Sequence, residues 1–453
     1  MENINLNDKL KNANEDLTLT MDGELKKKKV LIADPLATSR NFMQMVLSKI
    51  DITNITSVSS TKEVIRAVKK DTYDIIISEY YLSDDRNGQQ LLEELRYAKI
   101  IPLTTAYVII TTEKRPTNVV SLAELVPDAF ILKPVSIETL QNKLLRAIYK
   151  KHVLRKVYER IAENNLQEVV LACNRVIQQY PEFEQIAVRH KAEAYLRLNY
   201  FKEASLIFAQ VLKERQAPWA KMGLAFSLKG QGHIDEAQKL AEELVEKHIN
   251  FIALYDFLAN IYTEKGDFIN AQKILEKCHE ISPHNLERQR LFGNIALKNG
   301  DVETAQKIFG IVLKQSKDSS LRTAEDFSNL AEINLKKGDI KSSAALLLTI
   351  KKEQKSVIKN KIDELEFLIV EAFCLISGND TAQLHAKDLI KKALKDLKEL
   401  QNSETEKQNL NARIYTHLAV VCNKAGMEGE AGRLIIQANK LKQANAAETA
   451  ETK

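Results

Sequence analysis

The stretch IIISEYYLSDDRNG, residues 75–88, changes from an apolar run to an acidic loop at Glu79. Its three consecutive isoleucines are typical of a strand buried on both faces, because a half-exposed strand would alternate with polar residues. The loop that follows is polar, and Asn87-Gly88 is a turn signal before a helix. The stretch therefore predicts a buried strand whose carboxyl end carries the Glu79 carboxylate.

Four further apolar strands accompany this one and alternate with helices. Helical spacing of apolar residues occupies the segments between them, for example residues 61–70 and 88–98. This alternation predicts a parallel sheet covered on both faces, here a doubly wound, flavodoxin-like α/β domain of five parallel strands. In such sheets chemistry takes place at the carboxyl ends of the strands. Those ends carry Asp34, Glu79, Thr111 and Lys133, and the predicted strands are VLIA (30–33), TSVSS (56–60), DIIIS (74–78), AYVIITT (106–112) and AFILK (129–133).

After about residue 151 the strand signals stop and a periodic helical pattern begins. Helix pairs share a turn residue that is followed five positions later by a small residue, and the turn-to-turn steps are 33, 34, 34 and 38 residues. Small residues at two fixed places let paired helices pack closely, so the pattern predicts an all-α solenoid. The turn and small residues are Asn199/Ala204, Gly232/Ala237, Gly266/Ala271, Gly300/Ala305 and Gly338/Ser343, with Ala192, Ala225, Ala259, Gly293 and Ala331 at the second small position.

The helical pattern resembles the tetratricopeptide repeat, whose unit has about 34 residues with small residues at those two places. The similarity is strongest over residues 185–355, and a longer insertion in residues 356–411 interrupts the register. The resemblance implies that the first helix of each pair lines a concave groove that binds a protein partner. Trp219 is the only tryptophan and suits a peptide anchor, although packing between adjacent repeats explains it equally well. The predicted groove residues are Arg189, Glu193, Trp219, Met222, Phe226, Lys229, Asp256, Asn260, Arg290 and Asn294.

The motifs EYYLSDDRNGQQLLEELR, VIITTE and DAFILKP, with the strand order, resemble the receiver domain of bacterial response regulators over about residues 29–150. In that family a phosphoryl group moves from a histidine kinase to an aspartate at the end of the third strand. The resemblance implies that Glu79 occupies the phosphoacceptor position and that Asp34, Thr111 and Lys133 surround it. It also implies that Phe130 is the aromatic switch position.

Two residues depart from the receiver pattern: Glu79 replaces the phosphoaccepting aspartate, and Pro35 replaces the second acidic metal ligand. Because Mg²⁺ prefers octahedral oxygen ligands, the loss at position 35 leaves at most a weak magnesium site, and we expect no resident cofactor. The extra methylene of Glu79, about 1.5 Å long, would misplace a phosphoryl group for in-line transfer. Two interpretations stay open: Glu79 mimics the phosphorylated state, or it pairs with Lys133 in an inert site. The loop acids Asp84 and Asp85 are expected to be solvated.

The composition argues against several other functions. A formal net charge of +5 over 453 residues is weak support for direct nucleic-acid binding. The chain has no apolar run of about 20 residues, and its N-terminus lacks the order of a signal peptide, so we expect a cytoplasmic protein. The four cysteines lie far apart in helical patterns and are expected to be buried thiols. No nucleophile, Walker or HExxH motif is present, so we expect no enzyme activity.

These observations predict a flexible leader (1–28), a receiver-like domain (29–150), a tetratricopeptide-repeat superhelix of about seven or eight helix pairs (151–443) and a disordered tail (444–453). The favoured function is a two-component-type signalling regulator that acts by protein–protein interaction, with a partner such as a sensor kinase or an output enzyme. One alternative is a phosphorylatable regulator with Mg²⁺-dependent phosphotransfer. Another is an assembly or chaperone adaptor that uses only the repeats. Homodimerisation stays open.

Overall fold

The computed structural model describes residues 23–82, 86–113, 115, 124–403, 405–406, 408 and 410–451. The predicted leader lies almost entirely outside the described residues, as do Asp84 and Asp85. The chain forms two compact units, which meet in sequence between Asn285 and Leu286.

The N-terminal part of the first unit is a five-stranded parallel sheet, which confirms the predicted α/β fold. The strand order is β2-β1-β3-β4-β5, so the topology reverses direction between β1 and β3. Ligand sites of open α/β sheets lie beyond the strand ends at such a reversal. The strands are β1 (Lys29–Ala33), β2 (Asn54–Val58), β3 (Ile75–Glu79), β4 (Ala106–Thr111) and β5 (Ala129–Leu132).

Helices cover both faces of the sheet. Alternate residues of β1 point to opposite faces: Val30 and Ile32 pack on one side, and Leu31 and Ala33 on the other. The first side is covered by α1 (Ala37–Ser48) and α4 (Ile137–Val153), and the second by α2 (Thr61–Lys70) and α3 (Gly88–Tyr97). All five β3 residues are buried, as the isoleucine run predicts.

Sixteen helices, eight successive pairs, follow in the described part of the chain, in agreement with the predicted solenoid. The turns inside the pairs use left-handed backbone, with φ of 60° at Asn199 and 88° at Gly232, which explains the turn residues of the repeat. The helices of the first unit are α5 (Arg155–Ala162), α6 (Leu166–Gln179), α7 (Glu184–Arg197), α8 (Phe201–Glu214), α9 (Pro218–Gly230), α10 (Ile234–Lys247), α11 (Ile252–Glu264) and α12 (Phe268–Ile281). Those of the second are α13 (Leu286–Lys298), α14 (Val302–Gln315), α15 (Ala324–Lys337), α16 (Ile340–Val357), α17 (Lys361–Leu375), α18 (Asp380–Asn402), α19 (Ala412–Lys424) and α20 (Glu428–Glu451).

The predicted small positions are where paired helices touch. The alanines at these positions are fully buried. At Gly293 an added Cβ would lie 2.6 Å from the Phe309 ring, so only glycine allows this approach. The four cysteines are buried free thiols, as expected.

The domain boundaries remain predictions. The proposed junction at residue 150 falls inside α4, and the last helix runs to Glu451, through most of the segment predicted to be a disordered tail.

Candidate functional site

The carboxyl ends of three strands bring Asp34, Glu79 and Lys133 together, and we call these residues the site triad. Asp34 follows β1, Glu79 ends β3, and Lys133 follows β5. The Lys133 side chain reaches past β4, which separates β3 from β5. Its Nζ lies 2.5 Å from Glu79 Oε2 and 3.0 Å from Asp34 Oδ2. One ammonium group therefore links the ends of three strands.

Burial sets the electrostatics of the site triad. The side chains of Asp34, Glu79 and Lys133 are 1%, 9% and 23% exposed. Burial by itself would lower the pKa of Lys133, but the hydrogen bonds and charges of Glu79 and Asp34 outweigh it and raise the pKa. Lys133 is therefore charged at neutral pH, between two carboxylates.

All four carboxylate oxygens of the triad accept a hydrogen bond. The oxygens that do not contact Lys133 accept from main-chain N–H groups: Asp34 Oδ1 from Leu36 at 2.8 Å, and Glu79 Oε1 from Tyr80 at 2.7 Å. Each oxygen keeps a second lone pair, but the charge of the Lys133 ammonium between the two carboxylates opposes a divalent cation there. The present arrangement of the two carboxylates therefore does not fit Mg²⁺, which needs several free oxygen ligands.

Position 35 offers no side-chain oxygen. The carbonyls of Asp34 and Pro35 both accept from Arg40 Nη1, at 2.7 and 3.0 Å, so Arg40 fixes the loop after β1. Among the described residues, no group of three or more His, Cys, Asp and Glu side chains is placed to hold a metal. The sequence analysis missed Arg40, whose position in the first turns of α1 was the available signal.

Thr111, at the end of β4, is fully buried, but its hydroxyl oxygen accepts from the Glu113 amide at 3.1 Å. The Glu113 carboxylate lies 2.7 Å from Arg115 Nη2 and also accepts from the Tyr81 hydroxyl. Sequence reasoning placed Thr111 beside the triad. It included Glu113 only as the last residue of the motif VIITTE and missed the contacts of its carboxylate with Arg115 and Tyr81.

Two neighbouring features shape the site. The start of α3 lies directly against the backbone at the end of β3. The Gly88 amide donates to the Tyr80 carbonyl at 2.6 Å, and a Cβ on Gly88 would lie 2.7 Å from the Glu79 carbonyl oxygen. Asn87 and Gln90 cap this helix reciprocally, so Asn87-Gly88 starts α3 as predicted. Phe130 is partly buried against the α2–α3 side of the sheet.

At the opposite edge of the sheet, Arg96, Asp128, Lys150 and Lys151 form a second charged group, here called the junction cluster. The Asp128 carboxylate lies 2.6 Å from Lys150 Nζ, 3.3 Å from Lys151 Nζ and 3.7 Å from Arg96 Nη2. Its Oδ2 also accepts from the Tyr107 amide at 2.9 Å. One carboxylate therefore lies among three cations.

Lys151 connects the sheet to the first repeat helix. Its Nζ donates to the Leu103 carbonyl at 2.6 Å and lies 4.4 Å from the centre of the Tyr158 ring on α5. Burial lowers the pKa of Lys151 to about 8, and the charge of Asp128 offsets this only in part. Asp128 begins the quoted motif DAFILKP, but sequence reasoning did not single it out.

The predicted groove residues of the first unit fall into two groups. Arg189 and Glu193 pair with each other on α7 at 2.8 Å, and Lys229 pairs with Glu264 of the next repeat at 2.6 Å. Trp219 contacts the Phe208 ring edge-on, with 6.1 Å between centres, and Arg189 lies over its other side. Both interpretations of Trp219 thus have support, since it packs between repeats and also lines a cleft. The remaining residues range from partly buried to exposed, and they are Met222, Phe226, Asp256 and Asn260.

The groove residues of the second unit, Arg290 and Asn294, are engaged within that unit. Arg290 makes a bidentate pair with Asp326, both bonds being 2.8 Å long. The Asn294 side-chain oxygen accepts from Arg413 on α19 at 2.9 Å, and Arg413 also pairs with Glu325 at 2.6 Å. These contacts connect three repeats. Both predicted groove residues therefore already have polar partners within the unit.

Comparison with known proteins agrees with both parts of this structure. Residues 30–145 match the family model of the response regulator receiver domain, and residues 262–324 match a tetratricopeptide repeat model. A response regulator receiver domain protein from Clostridium thermocellum shares 22% identity, covering 28% of this chain and 98% of that chain, with a TM-score of 0.25. The chemotaxis response regulator CheY4 of Vibrio cholerae shares 22% identity over 26% of this chain and 98% of that chain, with a TM-score of 0.25. The MamA RS-1 ArsTM double mutant shares 14% identity over 37% of this chain and 93% of that chain, with a TM-score of 0.31.

The chain thus carries a match to a response regulator receiver domain over residues 30–145 and a match to tetratricopeptide repeats over residues 262–324. This combination is that of a two-component-type regulator with a protein-interaction module. Among the helices of the described residues, none is both long and apolar enough to cross a membrane.

Proposed function

We propose that this protein is a non-catalytic signalling regulator whose receiver domain works without phosphorylation and whose repeats bind a protein partner. One observation carries the proposal: Lys133 already bonds two carboxylates, Glu79 and Asp34, at 2.5 and 3.0 Å. In the receiver family this lysine faces the phosphoryl group. Here the Glu79 carboxylate takes that place, so the cation is neutralised without phosphate.

The geometry favours the inert interpretation of Glu79 over phosphate mimicry. A mimic would engage both Lys133 and the Thr111 hydroxyl, as a phosphoryl group with several acceptor oxygens would. Glu79 contacts Lys133, whereas the Thr111 oxygen accepts from the Glu113 amide. Glu79 thus acts as a fixed counter-charge that stabilises one conformation of the domain.

Contacts between the receiver and the repeats support a regulatory arrangement. Tyr149 on α4 donates to Glu182 at 3.1 Å, and Lys151 lies over the Tyr158 ring. Farther along the chain, the Ser282 hydroxyl donates to the Glu124 carboxylate. The receiver is held against the repeats at several points, which is the coupling that a regulator requires and that an adaptor using only its repeats does not.

Phosphotransfer tests the receiver part of the proposal. The full-length protein and its Glu79→Asp variant are incubated with Mg²⁺ and acetyl phosphate, and intact mass spectrometry detects the acyl phosphate. We expect no adduct on the wild type and a measurable adduct on Glu79→Asp, because the shorter side chain returns the acceptor by about 1.5 Å. Phosphorylation of wild-type Glu79 would instead support the phosphorylatable alternative.

Partner binding tests the regulatory part. Full-length protein, rather than a fragment cut at residue 150, is the correct bait because α4 spans that position. Partners captured by crosslinking are compared between the wild type and Lys133→Met, which disrupts the site triad but none of the predicted groove residues. A changed set or amount of partners supports regulation by the receiver, and an unchanged set favours the adaptor.

A further inference from the structure

A cleft of about 510 Å³ opens between the receiver domain and the first repeats, all within the first unit. The receiver supplies Arg96, Val126 and Lys150, and the repeats supply Tyr158, Arg189 and Trp219. This volume lies in the range of ligand sites, about 300–1,000 Å³. The junction cluster therefore forms one wall of a cleft whose other wall belongs to the predicted groove.

The cleft has an excess of positive charge. Five Lys or Arg side chains line it, against two carboxylates, Asp128 and Glu193. Arg96 is only weakly engaged: Nη2 lies 3.7 Å from Asp128, and both Nε and Nη2 are buried without a hydrogen-bond partner among the described residues. Buried donors in this state cost free energy until an acceptor reaches them. An incoming carboxylate would provide one.

The same cleft offers apolar contact surface. Trp219 lies on the repeat side, and Val126 is 63% exposed on the receiver side. A large aromatic side chain beside an arginine is a common anchor in protein interfaces. The two carboxylates inside the cleft disfavour a nucleic-acid strand, which would bring a row of phosphates past them.

We infer that this cleft binds an acidic peptide segment of the partner protein, with an aromatic or aliphatic side chain against Trp219 and Val126 and carboxylates toward Arg96 and Arg189. The inference rests on the proposed function, in which the repeats bind a protein, and it adds that the receiver forms half of the site. Partner choice would then depend on the position of the receiver wall.

A random dodecapeptide display library, selected on the full-length protein, supplies the probes. Recovered peptides are synthesised, and their binding is measured by fluorescence anisotropy. We expect the peptides to be enriched in Asp and Glu next to aromatic or aliphatic residues. Arg96→Gln is expected to weaken them about tenfold, in line with the loss of one charged hydrogen bond.

Position 126 provides a matched pair of variants. Because Val126 is exposed, Val126→Lys and Val126→Glu leave the core intact, and melting curves check this. Val126→Lys is expected to tighten peptide binding and Val126→Glu to weaken it, each by about threefold at low salt, with the difference shrinking as salt is added. Lys143→Gln, which removes an exposed cation that neither lines the cleft nor belongs to the predicted groove, is expected to leave binding unchanged.

The outcomes separate the inference from the proposed function. If peptides bind but their affinity does not change on substitution of Arg96 or of position 126, the cleft is not the binding site. The partner groove would then lie elsewhere in the repeats. A complete failure to recover peptides would count against both. Displacement of bound peptide by a single-stranded oligonucleotide would overturn the assignment to an acidic peptide, since it would indicate a nucleic-acid site.

Discussion

At the carboxyl edge of the receiver sheet one lysine lies between two carboxylates, whereas at the amino edge one carboxylate lies among three cations. In the site triad, Glu79 and Asp34 raise the pKa of Lys133 despite burial. In the junction cluster, burial dominates and lowers the pKa of Lys151 to about 8. The same chemical groups thus behave in opposite ways because the ratio of carboxylates to cations is inverted.

The two clusters also differ in their hydrogen bonding: the carboxylate oxygens of the site triad all have donors, whereas the junction cluster has donors without an acceptor among the described residues. Every carboxylate oxygen of the triad has a donor, and its single cation bonds both carboxylates. The junction cluster has surplus cations and an under-bonded Arg96 at the edge of a cleft. At the edge that carries phosphotransfer chemistry in the receiver family the one cation is already paired with two carboxylates, and the opposite edge is the one whose surplus cations attract an acidic ligand.

Replacing the lysine of each cluster should produce the largest difference in stability between the two clusters. Lys133→Met leaves the buried carboxylates of Asp34 and Glu79 side by side without a cation, and we expect a loss of about 3 kcal/mol. Lys151→Met leaves Asp128 with Lys150 and Arg96, and it removes the burial penalty on the Lys151 charge, which offsets the lost hydrogen bond with Leu103, so we expect a loss of less than about 1 kcal/mol. Native-state hydrogen exchange of the β3 and β5 amides in the full-length protein measures both losses.

Lys143→Met is the matched control for that pair. Lys143 lies on α4, and its contact, to the Phe130 carbonyl, is exposed. Its replacement should change exchange in β5 by less than about 0.5 kcal/mol, as is usual for a surface substitution. Equal losses for Lys133→Met and Lys151→Met would show that the charge ratio does not distinguish the two clusters.

Removing one carboxylate from each cluster is the complementary test, with smaller effects. Asp128→Asn deprives three cations of the carboxylate that they share, and we expect a cost of about 2 kcal/mol. Glu79→Gln leaves Asp34 to neutralise Lys133, and the new amide oxygen can still accept a hydrogen bond, so about 1 kcal/mol is expected. The same hydrogen-exchange experiment applies, and the prediction fails if Glu79→Gln proves the more damaging change.

The sequence was sufficient for the features that follow from local pattern. Buried strand runs and repeat spacing predicted both folds, and parallel strands placed Asp34, Glu79 and Lys133 at one edge. The edge strand was less well defined: TSVSS (56–60) was predicted, and β2 runs from Asn54 to Val58. Its residues are all either partly buried or exposed, so the run of apolar residues that identifies the central strands is missing there.

The contacts that sequence reasoning missed depend on distant parts of the chain. Lys151 bonds a carbonyl 48 residues earlier, and lysines at the end of a helix are ordinary, so neither residue indicated the junction cluster. Arg413 reaches Asn294 across 119 residues, beyond the insertion that interrupts the repeat register. Periodicity predicts which face of a helix is buried, but it does not predict which polar groups meet across several repeats.

A difference in pH dependence also distinguishes the two clusters. Because the folded-state pKa of Lys151, about 8, lies below its usual 10.5, this residue binds more protons in the unfolded chain between these values, and its contribution to stability rises with pH there. The buried thiols of Cys173, Cys374 and Cys422, whose pKa burial raises, act in the opposite direction, so the contribution is taken as the difference in unfolding free energy between the wild type and Lys151→Met. We expect this difference to change by about 1–2 kcal/mol between pH 7.5 and 9.5. Urea unfolding followed by the fluorescence of Trp219, which lines the same cleft, measures it.

Lys133 should not change the stability of the protein between pH 7.5 and 9.5. Its folded-state pKa is raised, so its stabilisation is complete below about pH 10 and is lost only above that range. Burial also raises the pKa of Tyr158, the ring beside Lys151, so this group does not titrate in the interval. The control Lys143→Met should therefore follow the pH dependence of the wild type, and Lys151→Met should lack the contribution of Lys151. If the stabilities of the wild type and Lys151→Met change alike with pH, the low pKa assigned to the junction cluster is wrong.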